Sequence, residues 1–144
     1  STVTSMGNAA FGFNDAITSA IINSTVIGIT AFYNSPLLST ITLSNNLLSI
    51  GNSAFITTGL TSITIPNTVT SLGTSSFEDT SLSSIVFDSV SQITDIPQEC
   101  FKNSWENTRT VTTLTLPEAV NVNLFFAELL VLSLGINVWV LYRQ

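Results

Sequence analysis

Four carboxylates, Asp79, Asp88, Asp95 and Glu99, fall within two successive stretches of the chain. Gathered on one side, such a group would suit a calcium site or the acid and base of a glycosidase. None of them follows the alternating ligand spacing of a calcium loop, so solvated acids are the plainer reading. His is absent, and the single Cys100 therefore lacks the usual base that makes a thiol nucleophilic. A lone Cys cannot form an internal disulfide either. Catalysis has little material here, and the chain reads as a non-enzyme with no cofactor and no metal.

Binding chemistry has more to work with. Asn23, Ser24 and Thr25 form a sequon, which makes Asn23 a glycosylation candidate in a chain secreted from a eukaryote. Trp105 and Arg109 sit in the most chemically varied stretch, with Lys102 and Glu106, and an exposed Trp beside an Arg is a common interface anchor. The alternative is a tolerated insertion, with Trp105 folded back onto the convex side. Net charge is −6 with three basic residues, which excludes the clustered Lys and Arg that nucleic acid needs. Charged residues make up only 8% of the chain against the usual quarter. Hydroxyls must take their place on the surface, since 20 Ser plus 21 Thr make 41 of 144 positions. A surface of that kind is commoner outside the cell than in the cytosol.

The elements that position these residues come from a repeat. The phrases SMGNAAF, VIGITAF, SIGNSAF, SLGTSSF and DIPQECF end on Phe11, Phe32, Phe55, Phe77 and Phe101, spaced 21, 23, 22 and 24 residues apart. A period in the low twenties means a solenoid, in which each unit covers its apolar face only by stacking on neighbours. Residues 38–55 and 60–77 align without a gap as L-x-x-I-x-h-x-x-x-h-x-x-h-G-x-x-[AS]-F, with h apolar. Alternation within that pattern predicts short strands over 20–22, 41–43, 63–65, 85–87 and 114–116. Ala10, Ala31, Ala54, Ser76 and Cys100 are small enough to pack under the adjacent coil, and each Phe is an inward plug. Gly7, Gly28, Gly51 and Gly73 share one position, where glycine implies either φ > 0 or a tight approach to the next coil. Pro97 takes that position in the fifth unit and cannot adopt φ > 0, so this coil is expected to turn differently.

The strand alternation also predicts an outward face. Its columns are Ser19, Thr40, Ser62, Ser84, Thr113 and, two residues on, Ile21, Thr42, Thr64, Val86, Thr115. With strands stacked about 4.8 Å apart this is a charge-free hydroxyl array with methyl groups between. Ser and Thr are also neutral fillers of an exposed strand. The functional alternative is a contact surface for a protein, a glycan or a crystalline lattice. Thr40, Thr42, Ser62, Thr64, Ser84, Thr113 and Thr115 are its binding candidates, with Trp105 and Arg109 from the insertion. The T-x-T ladder resembles that of ice-binding solenoids, but Ile21 and Val86 interrupt it.

The stretch LTSITIPNTVTSLGTSSF resembles the BspA-like (treponemal-type) leucine-rich repeat, whose units read approximately L-x-x-I-x-I-P-x-x-V-x-x-I-G-x-x-A-F. The resemblance covers about 3–120. It implies a right-handed leucine-rich-repeat horseshoe with short parallel strands on the concave side, an irregular convex side, and roles in surface attachment or protein binding.

One domain of repeats is thus expected over 1–120, followed by a non-repeat segment over 121–144. The stretch from Leu124 to Tyr142 carries one charge, Glu128, and closes on Trp139, Tyr142 and Arg143, which imitates a membrane span with an interfacial belt. Apolar residues alternate through Leu130, Leu132, Leu134, Ile136, Val138, Val140 and Tyr142, which argues instead for strands that cap the last coil or pair with another chain. The first residue falls in mid-repeat, as in a processed or excised piece, and neither end has an obvious polar cap. Self-association or membership of a larger assembly follows as an expectation. The leading reading is a structural or adhesive surface protein, extracellular or on a cell or particle surface, that binds a protein partner or itself. Its rivals are a membrane-anchored receptor fragment, a polysaccharide- or ice-binding solenoid, and an enzyme acting on polysaccharide.

Overall fold

The computed structural model describes residues 5–88, 92–97 and 99–104, and the backbone of 113–115. The chain winds as a parallel-strand solenoid with two rows of strands. The longer row holds β1 (Ser19–Ile22), β3 (Thr40–Leu43), β5 (Ser62–Ile65), β7 (Ser84–Phe87) and β8 (Thr113–Thr115). The shorter row holds β2 (Val26–Ile27), β4 (Ser49–Ile50) and β6 (Ser71–Leu72).

The alternating sequence sets the strand faces. In β5 the burial runs exposed, buried, exposed, buried, so Ile63 and Ile65 enter the core while Ser62 and Thr64 stay outside. The longer row is hydrogen-bonded as β1 with β3 and as β5 with β7 and β8, with Ser19 opposite Thr40 and Ser62 opposite Ser84. β3 and β5 pack side by side, but the ladder is interrupted between them. The longer row is therefore two ladders side by side.

The shorter row lies on the side that the sequence pattern leaves irregular, because two residues per coil are too few to show alternation. Its bonds cross between coils: Gly51 N–H donates to Ile27 O at 2.9 Å and Gly73 N–H to Ile50 O at 2.8 Å. Pro97 stands at the next glycine position and has no N–H to give. The row shrinks there from strands to a bridge position at Asp95.

Every apolar position of the repeat pattern between Leu60 and Phe77 is buried: Leu60, Ile63, Ile65, Val69, Leu72 and Phe77. The Phe rings form one continuous stack through the core, with successive centroids 5.2 to 5.3 Å apart from Phe11 to Phe101. Beside each ring a small residue brings the next coil close. Phe32 N–H donates to Ala54 O at 2.7 Å, Phe55 N–H to Ser76 O at 2.8 Å and Phe77 N–H to Cys100 O at 2.8 Å. At the first coil the plug is looser, with Phe11 42% exposed and Ala10 on the surface.

The glycine column is explained by coil approach and not by φ. None of its members has positive φ, and a Cβ on Gly28, Gly51 or Gly73 would lie 2.4 to 2.8 Å from backbone atoms of the preceding coil. The premise that the Pro97 coil must turn differently because proline cannot adopt φ > 0 falls accordingly, although the loss of its N–H does end the strands of the shorter row there. Cys100 N–H donates to Pro97 O at 2.9 Å, the same closure that Ala31 makes to Gly28 O and Ser76 to Gly73 O.

Positive φ occurs instead two residues on either side of the Phe plugs. Ala9 and Phe13, Thr30 and Asn34, Ser53 and Thr57, and Ser75 and Asp79 form such pairs, and Asn103 follows Phe101. The left-handed turn aims each N–H at the next coil: Thr30 donates to Asn52 O at 3.0 Å and Asn34 to Ile56 O at 2.8 Å. This turn side therefore keeps an inter-coil ladder without being a strand.

Candidate protein-binding face

The longer strand row presents two outward columns. Ser19, Ile21, Thr40, Thr42, Ser62 and Thr64 are exposed, and Ser84 and Val86 are half-buried. Strand register aligns them, with Ile21 opposite Thr42 and Thr64 opposite Val86. Thr113 and Thr115 continue the row on the backbone of β8, opposite Ser84 and Val86. Ile21 is the most exposed large apolar side chain among the described residues, at 75%.

The face is held from beneath by the alternate residues of each strand. Ile41, Ile63, Ile65, Ile85 and Phe87 beneath it are all in the core. The outward atoms are hydroxyls, which donate and accept, and methyl groups. No outward position on β1, β3, β5 or β7 is ionisable. The face can form hydrogen bonds and apolar contact; β1, β3, β5 and β7 place no acid or base on it that would activate a hydroxyl as a nucleophile.

Titratable groups lie elsewhere. Lys102 reaches Glu78 at 3.3 Å and Glu99 at 3.7 Å, joining the turn sides of the coils that end on Phe77 and Phe101. The hydrogen bond and charge of Glu78, with the charge of Glu99, raise the Lys102 pKa. Ser75 Oγ donates to Glu99 at 3.5 Å, and Asn103 Nδ2 donates to Asp79 at 2.9 Å. Asp88 follows β7, where its N–H donates to Ile65 O at 3.0 Å. Among the described residues no group of three or more Cys, Asp or Glu could hold a metal ion. Cys100 is fully buried against Ser76 Oγ at 3.1 Å, and burial pushes its thiol up to about 12.

Asn23 is exposed in the bend between β1 and β2, while Ser24 turns inward and donates to Val26 O at 2.9 Å. Trp105 and Arg109 lie outside the described residues, as does 124–142. No helix among the described residues is long and apolar enough to cross a membrane.

A second polar column escaped the sequence reading. Three residues after the plug, Ser35, Thr58, Thr80 and Ser104 are all buried. Their hydroxyls satisfy the plug carbonyls: Ser35 Oγ donates to Phe11 O at 3.0 Å, Thr58 Oγ1 to Phe55 O at 2.9 Å and Thr80 Oγ1 to Phe77 O at 3.0 Å. The signal was available as F-x-x-[ST] in FYNS, FITT, FEDT and FKNS. In a chain so rich in Ser and Thr, one more hydroxyl column does not stand out.

A family model for the BspA type leucine rich repeat region matches residues 1–108, in six copies. The chain belongs to this leucine-rich-repeat family. The model finds one copy more than the five Phe-ended phrases. A crystal structure of the T. pallidum leucine rich repeat protein TpLRR shares the fold at a TM-score of 0.52, with 19% sequence identity over 94% of this chain and 78% of that one. No curated protein matches the chain. BspA-type leucine-rich repeats typically mediate protein interaction or surface adhesion, on scaffolds that are generally non-enzymatic.

Proposed function

We propose that this chain is a non-enzymatic structural or adhesive protein, extracellular or on a cell or particle surface, that binds a protein through its longer strand row. The observation that carries this reading is the row of exposed Ser, Thr and Ile side chains, free of charge and locked from beneath by buried Ile and Phe. Such a face offers area and hydroxyl bonding in place of chemistry. Thr40, Thr42, Ser62, Thr64 and Ser84 are its contacts, extended by Thr113 and Thr115, with Trp105 and Arg109 as further candidates. Asn23 stands off this row at its bend and is proposed as the glycan acceptor where the chain passes through a eukaryotic secretory route. No nucleic acid is bound, because three basic residues cannot offset nine acids.

The test is a photo-crosslinking residue placed at Thr42 or Thr64, and for comparison at Thr57 or Asp79 on the turn side, in the organism that makes the protein. Crosslinks to a polypeptide from the strand positions support the reading. Crosslinks confined to the turn side overturn it.

A further inference from the structure

The longer row breaks its own pattern at β1. At the first inward position of the strands stand Ile41, Ile63 and Ile85, with Leu114 in β8, but Ala20 in β1. The adjacent Ile21 departs in the opposite sense, a large apolar side chain 75% exposed where β3 and β5 place Thr42 and Thr64. β1 thus turns a small residue inward and a large one outward. Among the described residues it is bonded on one edge only, to β3. An open cleft of about 680 Å³ borders it, walled by Met6, Phe11, Ile17, Ala20, Ile22 and Phe32, with no ionisable side chain in its lining.

We propose that the unpaired edge of β1 takes an extended segment of a partner protein, which adds a strand there and seats a large apolar side chain over Ala20. This rests on the reading of the longer row as a protein-binding face, and names where on the row and in what form the partner binds. An unpaired strand edge offers N–H and C=O groups at the spacing of another strand, which a polypeptide matches and a glycan or a lipid does not. Edge strands that must avoid such pairing carry devices such as Lys or Pro. β1 reads Ser-Ala-Ile-Ile and has neither.

The side chains of β1 set what the segment must carry. Successive residues of a strand point to opposite faces, so its apolar residues must stand two apart to enter the cleft together. One sinks over Ala20 towards Ile41, into space that an Ile at position 20 would fill; the other lies over Ile22. The residue between them packs beside Ile21 on the outer face. A charged residue at either inward position would be desolvated with no partner. The segment is therefore uncharged, with a large apolar residue facing Ala20.

The probes are labelled synthetic peptides of residues 37–46, LLSTITLSNN, an uncharged sequence with apolar residues two apart, made also with Ile41→Phe and with Ile41→Ala. Fluorescence anisotropy with the full chain should show the Phe peptide binding about tenfold more tightly than the Ala peptide, the scale set by burying one large apolar side chain. In the full chain carrying Ala20→Phe, with its fold checked by thermal unfolding, that order should vanish or reverse, because the new ring fills the cleft itself. The same order in both chains, equal binding of the two peptides by the parent, or no binding at the highest soluble concentration overturns the proposal. In the organism that makes the protein, a photo-crosslinking residue at Ile21 should capture a second polypeptide through an uncharged stretch with apolar residues two apart, identified by mass spectrometry of the crosslinked peptide. Crosslinks from Ile21 that stay within the same polypeptide, or that land on a charged stretch, also overturn it. If the peptides fail to bind while the photo-crosslinker at Thr42 still captures a polypeptide, edge binding falls and the protein-binding reading stands. If neither Ile21 nor Thr42 captures one, both fall.

Discussion

The rings of Phe55 and Phe77 lie 5.2 Å apart with their planes 9° from parallel, each on a different coil and each fully buried. Offset stacking of this kind adds to the area that the rings bury. Because the same contact continues to Phe32 and Phe101, the stack couples each coil to both neighbours.

Phe77→Ala should accordingly destabilise the chain by about 3 to 5 kcal/mol, the range for a large aromatic removed from a core. In a solenoid the loss spreads to adjacent coils. Phe11→Ala should have a smaller effect, since that ring is 42% exposed. Thermal unfolding followed by circular dichroism checks the order; equal effects would refute it.

Glycine at the coil crossing should be irreplaceable where coils stack on both sides. A Cβ on Gly51 would lie 2.7 Å from the backbone of Gly28 and Ile29, which cannot move without separating two coils. Gly51→Ala should cost about 1 to 3 kcal/mol, as overpacking does. Gly7→Ala meets nothing within 4 Å and should be nearly neutral. Urea titration of the two variants measures the difference.

Much of this fold was legible because the same pattern recurs five times along the chain. The strand faces of Ile63 and Ile65, the Phe plugs and the small-residue column follow from alternation and spacing alone. The glycine column was ambiguous, since sequence cannot separate a φ requirement from a close approach; the distance from Gly73 to Gly51 decides it. The shorter strand row and the left-handed residues beside each plug were hidden. Strands such as Ser49–Ile50 are too short for a period, and Thr30 or Phe13 carries no preference for positive φ. The candidate face was readable as two columns, but its division between β3 and β5 was not.

The thiol of Cys100 should report on the fold. Burial raises its pKa to about 12, so at pH 8 it is both protonated and out of reach. The thiolate is the reactive form. Labelling by a thiol reagent should be slow in the native state and fast in denaturant, and Ser76→Val should leave that contrast in place. Rapid native labelling at neutral pH would contradict the packing of this coil.

The two faces of β5 should respond oppositely to the same substitution. Thr64→Lys places an ammonium group in solvent and should leave the unfolding transition nearly unchanged. Ile65→Lys buries it with no partner and should abolish folding, given the desolvation penalty of an unpaired charge. Equal solubility and equal unfolding transitions of the two variants would mean that the strand faces are reversed.

Thr57 has φ 55°, a left-handed conformation that its branched Cβ disfavours, yet its side chain is exposed. The strain is held because its N–H must reach Glu78 O, at 3.1 Å, to tie this coil to the next. Left-handed backbone costs an L-residue about 1 to 2 kcal/mol, and Asn and Gly are the residues that tolerate it. Asn34 and Asn103 already occupy the same position in other coils. Thr57→Asn should therefore stabilise the chain, by on the order of 1 kcal/mol. Thr57→Gly should gain less, because glycine also adds freedom to the unfolded chain. Thermal unfolding in which Thr57→Asn melts lower than the parent would show that the threonine methyl or hydroxyl makes a contact worth more than the strain it bears.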